Sequence, residues 1–304
     1  MPLHPEAAAY LAAVKALNLP PIWTLDPVTA RAAGAARPPT DLPPAALAET
    51  RALTLPDGLT GELYIPHGAG QGPCIVFYHG GGWVVGSVAA LASICSHIAA
   101  RTGWRVLSVD YRLAPEAAFP APVEDAIAAA VWAAGSPAQL GPPVTAIITA
   151  GDSAGGNLAI AVAGSGQVAV AAQLLFYPVT DVSAEAPSYA EFATDHGLEA
   201  RAMRWFRDHY VQDAKDLADP RVSPLCDSDV TRYPPTVMLT AGVDVLRDEG
   251  RAFAARLVAA GVPVAFREAA GHVHGFITLR AVAPGVIPVI DAAIDDLMRI
   301  NPDL

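Results

Sequence analysis

The chain has 304 residues, and Lys+Arg 19 against Asp+Glu 30 leaves a formal charge of −11, with only 16% of residues charged and 53% hydrophobic. A net negative chain repels phosphate backbones, and so apolar a chain does not stay unfolded; this argues against general nucleic-acid binding and excludes a mainly disordered chain. The three cysteines, Cys74, Cys95 and Cys226, are widely spaced with no C-x-x-C pair, against a disulfide framework or zinc site and in keeping with a reducing, cytoplasmic setting.

Residues 1–45 are rich in alanine and proline. Residues 6–17 read as one helix, and 20–30 and 36–44 read as connecting segments. Glu6 comes early and no basic residue precedes Lys15, a poor match to a signal peptide. Residues 53–55 and 61–65 flank Pro56-Asp57-Gly58, a hairpin signal. Continuous apolar runs at 74–78, 106–109, 146–150, 173–177 and 236–240 predict fully buried strands, with a weaker run at 264–267. Helical stretches at 90–101, 122–134, 154–164, 247–260 and 286–300 lie between or after them. Buried strands alternating with helices predict an α/β fold with a mostly parallel sheet, made mixed by the hairpin. The uncharged stretch 158–180 is broken by Gly164-Ser165-Gly166-Gln167 and closed near Pro178. It therefore reads as two buried elements and a turn, with no membrane span. Residues 179–234 hold no good strand. They include an amphipathic stretch, 199–211, with Met203, Trp205, Phe206 and Tyr210, so this region reads as a helical insertion of the kind that often forms a lid.

The sharpest local signal is Gly151-Asp152-Ser153-Ala154-Gly155-Gly156, between a predicted strand and a predicted helix. That is the context of the G-x-S-x-G nucleophile elbow. Gly151 and Gly155 leave room where strand and helix approach closely, and Ser153 projects beside a helix N-terminus that favours a developing anion. Upstream, His79-Gly80-Gly81-Gly82-Trp83 directly follows the run 74–78. Acyl transfer needs donors aimed at a tetrahedral oxyanion, and glycines after a strand supply unobstructed N–H groups. A serine hydroxyl needs a base, and the base an orienting acid, in the chain order Ser, Asp/Glu, His. Asp244 follows the run 236–240, and Asp248 is its rival, four residues on in a helix's opening turn where an acid ordinarily favours the dipole. His274 follows the last run; His272 competes with it, and spacing does not separate the two. His4, His67, His97, His196 and His209 read as surface or structurally satisfied histidines.

These motifs resemble the hormone-sensitive-lipase-like, or family IV, carboxylesterases of the α/β-hydrolase superfamily, over roughly residues 50–280. His79-Gly80-Gly81-Gly82 is similar to that family's oxyanion motif, and the Gly151–Gly156 stretch to its nucleophile motif. Tyr111-Arg112-Leu113-Ala114-Pro115-Glu116 with Phe119-Pro120-Ala121, and Asp219-Pro220-Arg221-Val222-Ser223-Pro224, resemble two further stretches. Asp244-Val245-Leu246-Arg247-Asp248 departs from the family only in Val245, where proline is usual; His274-Gly275-Phe276 matches and favours His274 over His272. The resemblance implies Ser153 as nucleophile, His274 as general base and then acid, and Asp244 as orienting acid. It implies an oxyanion hole from the N–H groups of Gly81, Gly82 and Ala154. His79 is expected to shape the glycine loop, and Arg112 and Glu116 to pin the loop under the site.

The expectation is a serine carboxylesterase acting on small esters of short to medium acyl chains, with no metal or cofactor. The implied architecture is an α/β-hydrolase core at 46–179 and 226–304. A helical cap comes from 1–45 and 180–225. Trp83, Trp205, Phe206 and Phe276 are candidates for lining the pocket. Because the base must be neutral, the rate should fall on acidification through the ordinary imidazole range. An amidase, peptidase or acyltransferase would use the same three residues, and a ligand-binding relative would lack one of them. Pairing of two copies through a sheet edge is a further implication of the resemblance.

Overall fold

The computed structural model describes residues 1–36, 39–301 and 304. The apolar runs become strands β1 (Glu49–Thr54), β2 (Thr60–Ile65), β3 (Gly72–Tyr78), β4 (Arg105–Asp110), β5 (Val144–Asp152), β6 (Val170–Phe176), β7 (Thr236–Val243) and β8 (Val264–Val273). They form one sheet in the order β1-β2-β4-β3-β5-β6-β7-β8. The pairs β1–β2 and β2–β4 are antiparallel and the remainder parallel, which is the mixed sheet expected from the hairpin.

Successive side chains of a strand face opposite sides, so each strand feeds two cores. Val76, Tyr78, Leu107, Leu175 and Met238 face α4 (Ala121–Ala134), α5 (Ala154–Gly164) and α8 (Arg247–Ala259). Ile75, Phe77, Leu174, Val237 and Leu239 face α3 (Ala92–Thr102) and α9 (Ile287–Ile300). The uncharged stretch 158–180 is α5, a turn and β6, and every residue of α5 from Ala154 to Ala163 is buried. None of the described helices is long and apolar enough to cross a membrane.

The N-terminal region contains α1 (Pro5–Ala16) and α2 (Pro27–Ala35). The second corrects the expectation of a connecting segment at 20–30. Asp26 caps it, accepting the Thr29 N–H at 3.0 Å, with Pro27 at the first helical position, where its missing N–H costs nothing. Of the other expected connection, 36–44, Arg37 and Pro38 lie outside the described residues. Residues 179–234 carry α6 (Pro187–Glu191) and α7 (Ala200–Tyr210) and no strand. The weak run at 264–267 proves to be the start of a longer strand, because β8 stays paired with β7 through Val243 and Val273.

Candidate active site

Three strands end where the chemistry gathers. β5 turns into α5 through Ser153, whose φ of 53° and ψ of −119° lie where residues with a Cβ are strained. The glycines make that turn possible. A Cβ at Gly155 would collide with the Tyr78 backbone, and one at Gly151 with Gly155. β7 ends at Val243, placing Asp244 next, and β8 ends at Val273, placing His274 next.

His274 Nε2 lies 2.9 Å from Ser153 Oγ, and His274 Nδ1 lies 2.7 Å from Asp244 Oδ2. A carboxylate only accepts, so Nδ1–H donates to Asp244 and Nε2 accepts from the serine hydroxyl. Asp244 is 1% exposed, and its Oδ1 also accepts the Leu246 N–H at 3.0 Å. The Tyr177 ring leans on the imidazole of His274, centroids 4.5 Å apart. Thus the structure joins Ser153, His274 and Asp244 and leaves the rivals out. Asp248 sits in the first turn of α8 and pairs with Arg247 and Arg251. His272 stacks on His4, ring centroids 4.5 Å apart. His97 pairs with Asp291, and His209 contacts the Trp205 carbonyl.

After β3 the loop His79–Gly82 approaches Ser153. Burial holds the His79 imidazole below the ordinary histidine range, so the ring is neutral, and its Nδ1–H donates to Gly80 O at 2.8 Å. His79 also stacks on Tyr111, whose hydroxyl donates to His79 O at 2.7 Å. Gly81 and Gly82 take φ of 120° and 58°, conformations that favour glycine. Among the described residues their N–H groups form no hydrogen bond. Ala154 opens α5, so its N–H is one of the helix's unpaired first-turn donors.

The four pocket-lining candidates divide. Trp83 and Phe276 are 0% exposed, each packed against another ring. Trp83 stacks face to face on Tyr210 at 4.2 Å, and Phe276 meets Tyr177 edge-on in the core. Both are large apolar surfaces for which another ring was available. Phe206, on α7, lies directly over Gly82: a Cβ on that glycine would collide with the ring. Trp205 is half-buried and edge-on to Phe206 at 5.2 Å.

One residue that sequence reasoning missed is Arg31, on the unforeseen α2. Its Nε donates to Val84 O at 2.7 Å and its Nη2 to Ala114 O at 2.8 Å, while the guanidinium grips Glu116 through both oxygens. Glu116 thereby ties the N-terminal region to the loop below the site, and its carboxyl is held down at about 2, chiefly by the Arg31 hydrogen bond. Arg112 instead forks onto Asp125 of α4.

Residues 75–278 match a family model described as the alpha/beta hydrolase fold. LipN, a carboxylic ester hydrolase of Mycobacterium tuberculosis, is 39% identical over 247 residues, 77% of this chain and 65% of its own. An ethyl acetate hydrolase of Pseudomonas putida is 34% identical over 96% of this chain and 98% of its own. Among solved structures, the ester-hydrolase EH1AB1 from the metagenome of Lake Arreo, complexed with a derivative of bipyridine phosphonate, superposes at a TM-score of 0.90. It is 35% identical, and the match covers 97% of this chain and 98% of that one. The chain belongs to the α/β-hydrolase fold family, and within it to the hormone-sensitive-lipase-like carboxylic ester hydrolases.

Proposed function

We propose that Ser153 is the nucleophile, His274 the general base and then acid, and Asp244 the acid that orients it. The supporting observation is the continuous relay Ser153 Oγ–His274–Asp244 at 2.9 and 2.7 Å, built on a strained serine. Ser153 Oγ attacks the ester carbonyl as His274 Nε2 takes its proton, and the imidazolium gains the Asp244 carboxylate. The carbonyl oxygen becomes an oxyanion within reach of the Gly81, Gly82 and Ala154 N–H groups, which lose no partner in turning to it. His274 returns the proton to the departing alkoxide. Water, deprotonated by the same nitrogen, then cleaves the acyl-enzyme, and Ser153 Oγ recovers its proton.

In this reading the cap comprises residues 1–45 and 180–225, over a core of 46–179 and 226–304. Phe206 on α7 covers the glycine loop directly. That close cover favours short to medium acyl chains. The three thiols are all free, in keeping with the cytoplasm, and the position of β8 at an edge of the sheet suits pairing with a second copy.

The test is Ser153→Ala assayed on p-nitrophenyl esters of increasing acyl length. The substitution should lower kcat on the order of 10⁴-fold or more, and wild-type activity should peak at short chains. Near-normal turnover in the variant would sink the nucleophile assignment, and a peak at long acyl groups would sink the chain-length reading.

A further inference from the structure

The proposed triad leaves unused the buried carboxyl next to it. Asp152 ends β5 and is 7% exposed. Its Oδ1 accepts the Gly80 N–H at 2.7 Å. Gly80 is not among the residues with positive φ, so backbone freedom does not explain the glycine. Space does: a Cβ at Gly80 would land on the Asp152 carboxylate. This glycine of the motif lets the carboxylate come within hydrogen-bonding distance of the main chain.

The contact sits at a point of leverage. Gly81 and Gly82 follow immediately, and their direction depends on how Gly80 is held. Other bonds also fix the loop: Tyr111 Oη donates to His79 O at 2.7 Å, and Val85 N donates to Gly81 O at 2.9 Å. The Asp152 bond differs because it comes from the residue joined by one peptide bond to Ser153, tying the glycine loop to the strand that carries the serine. It is also charge-assisted, the stronger kind of hydrogen bond. Burial pushes the carboxyl up to about 6, opposed by the Gly80 N–H and by His274.

Resting on the assignment of Ser153 and the glycine loop above, we propose that Asp152 is a positioning residue of the oxyanion hole: its carboxylate, through the Gly80 N–H, sets the Gly81 and Gly82 donors relative to the serine hydroxyl. Those donors act on the charge that develops in the transition state, so misplacing them lowers kcat and leaves substrate binding nearly unchanged.

Asp152→Ala, Asp152→Asn, Gly80→Ala and Ser153→Ala are compared with wild type on p-nitrophenyl acetate, with thermal unfolding followed for each. Asp152→Ala should lower kcat about 10²-fold, the size of one lost oxyanion donor, with KM within about threefold of wild type. Asp152→Asn keeps an oxygen that accepts the Gly80 N–H and should recover most of the loss. Gly80→Ala, which disturbs the contact while keeping Asp152, should reproduce the loss in kcat, and it carries the test if Asp152→Ala does not fold. Three results would overturn the proposal: a folded Asp152→Ala or Gly80→Ala enzyme with wild-type kcat, a loss through KM alone, or Asp152→Asn as impaired as Asp152→Ala. An active Ser153→Ala enzyme would instead overturn the reading of the site itself.

Discussion

At Ser153 the chain holds a φ of 53°, a conformation costing on the order of 1–3 kcal/mol for a residue with a Cβ. The surroundings enforce it: Ser153 N donates to Phe176 O, and Ser153 O accepts from both Asn157 and Val179. The hydroxyl then faces a histidine whose tautomer is set from behind by Asp244. If that orientation matters, Asp244→Asn should lower kcat by roughly 10⁴-fold with little change in KM, since an amide can turn its NH₂ toward Nδ1 and reverse the tautomer. Steady-state kinetics on p-nitrophenyl acetate checks this, and a loss under tenfold would refute it. The candidate residues Ser153, Asp244 and His274 were legible in the sequence because residue types that do such chemistry are few and strand ends are recognisable. Two points were not legible from spacing. His272 and His274 differ by two residues in one loop; the His274-Gly275-Phe276 resemblance favoured His274, and the two differ physically in that His274 hydrogen-bonds Ser153 and Asp244 whereas His272 stacks on His4. Asp152 was hidden in plain view, because its partner is the N–H of a glycine 72 positions away.

On the scale of elements, α7 is more than a cover. Its buried face carries Met203, Phe206 and Tyr210 at helical spacing. Phe206 presses on Gly82, Tyr210 stacks on Trp83, and Tyr210 O accepts the Phe119 N–H at 2.9 Å. The helix is therefore packed against the glycine loop proposed to supply the oxyanion donors. Phe206→Ala should open space there and shift preference toward longer acyl chains by about tenfold in the ratio of kcat/KM values, the size of one or two methylenes. An unchanged ratio between p-nitrophenyl octanoate and acetate would contradict this. α2 acts from the other side through Arg31. Removing that guanidinium strips donors from two backbone carbonyls, so Arg31→Ala should reduce stability by about 1–3 kcal/mol, measured by urea denaturation. The amphipathic stretch of α7 was legible from its spacing. α2 was not, because an Ala-rich segment between prolines has no strong apolar period, and its true signal was the Asp26-Pro27 start.

For the molecule as a whole, the low charge content follows from a sheet buried on both faces and an α5 with no exposed side. Within that interior lies Glu249, 2% exposed, whose Oε1 accepts the Thr180 N–H at 2.7 Å and so links α8 to the chain leaving β6. Burial raises its carboxyl well above the ordinary 4.5. The unfolded chain releases this proton at lower pH than the folded one, so the group works against folding increasingly as pH rises above about 4.5. Asp152, raised to about 6, adds in the same direction from about 4 to 6. Glu249→Gln should therefore gain thermal stability relative to wild type as pH goes from about 5 to 8; a constant difference across that range would contradict the linkage. The alternation of buried strands and helices made the sheet legible, whereas the packing of residues 1–36 against the loops around the site was not, since such contacts carry no local pattern. The central claim is that Ser153 is activated by His274 and Asp244 to form a covalent acyl-enzyme, and covalent capture tests it most directly. After treatment with a fluorophosphonate, intact mass and peptide mapping should find one adduct per chain, on Ser153, and much slower labelling in His274→Ala. An unmodified chain, or an adduct on another residue with Ser153 free, would contradict the account.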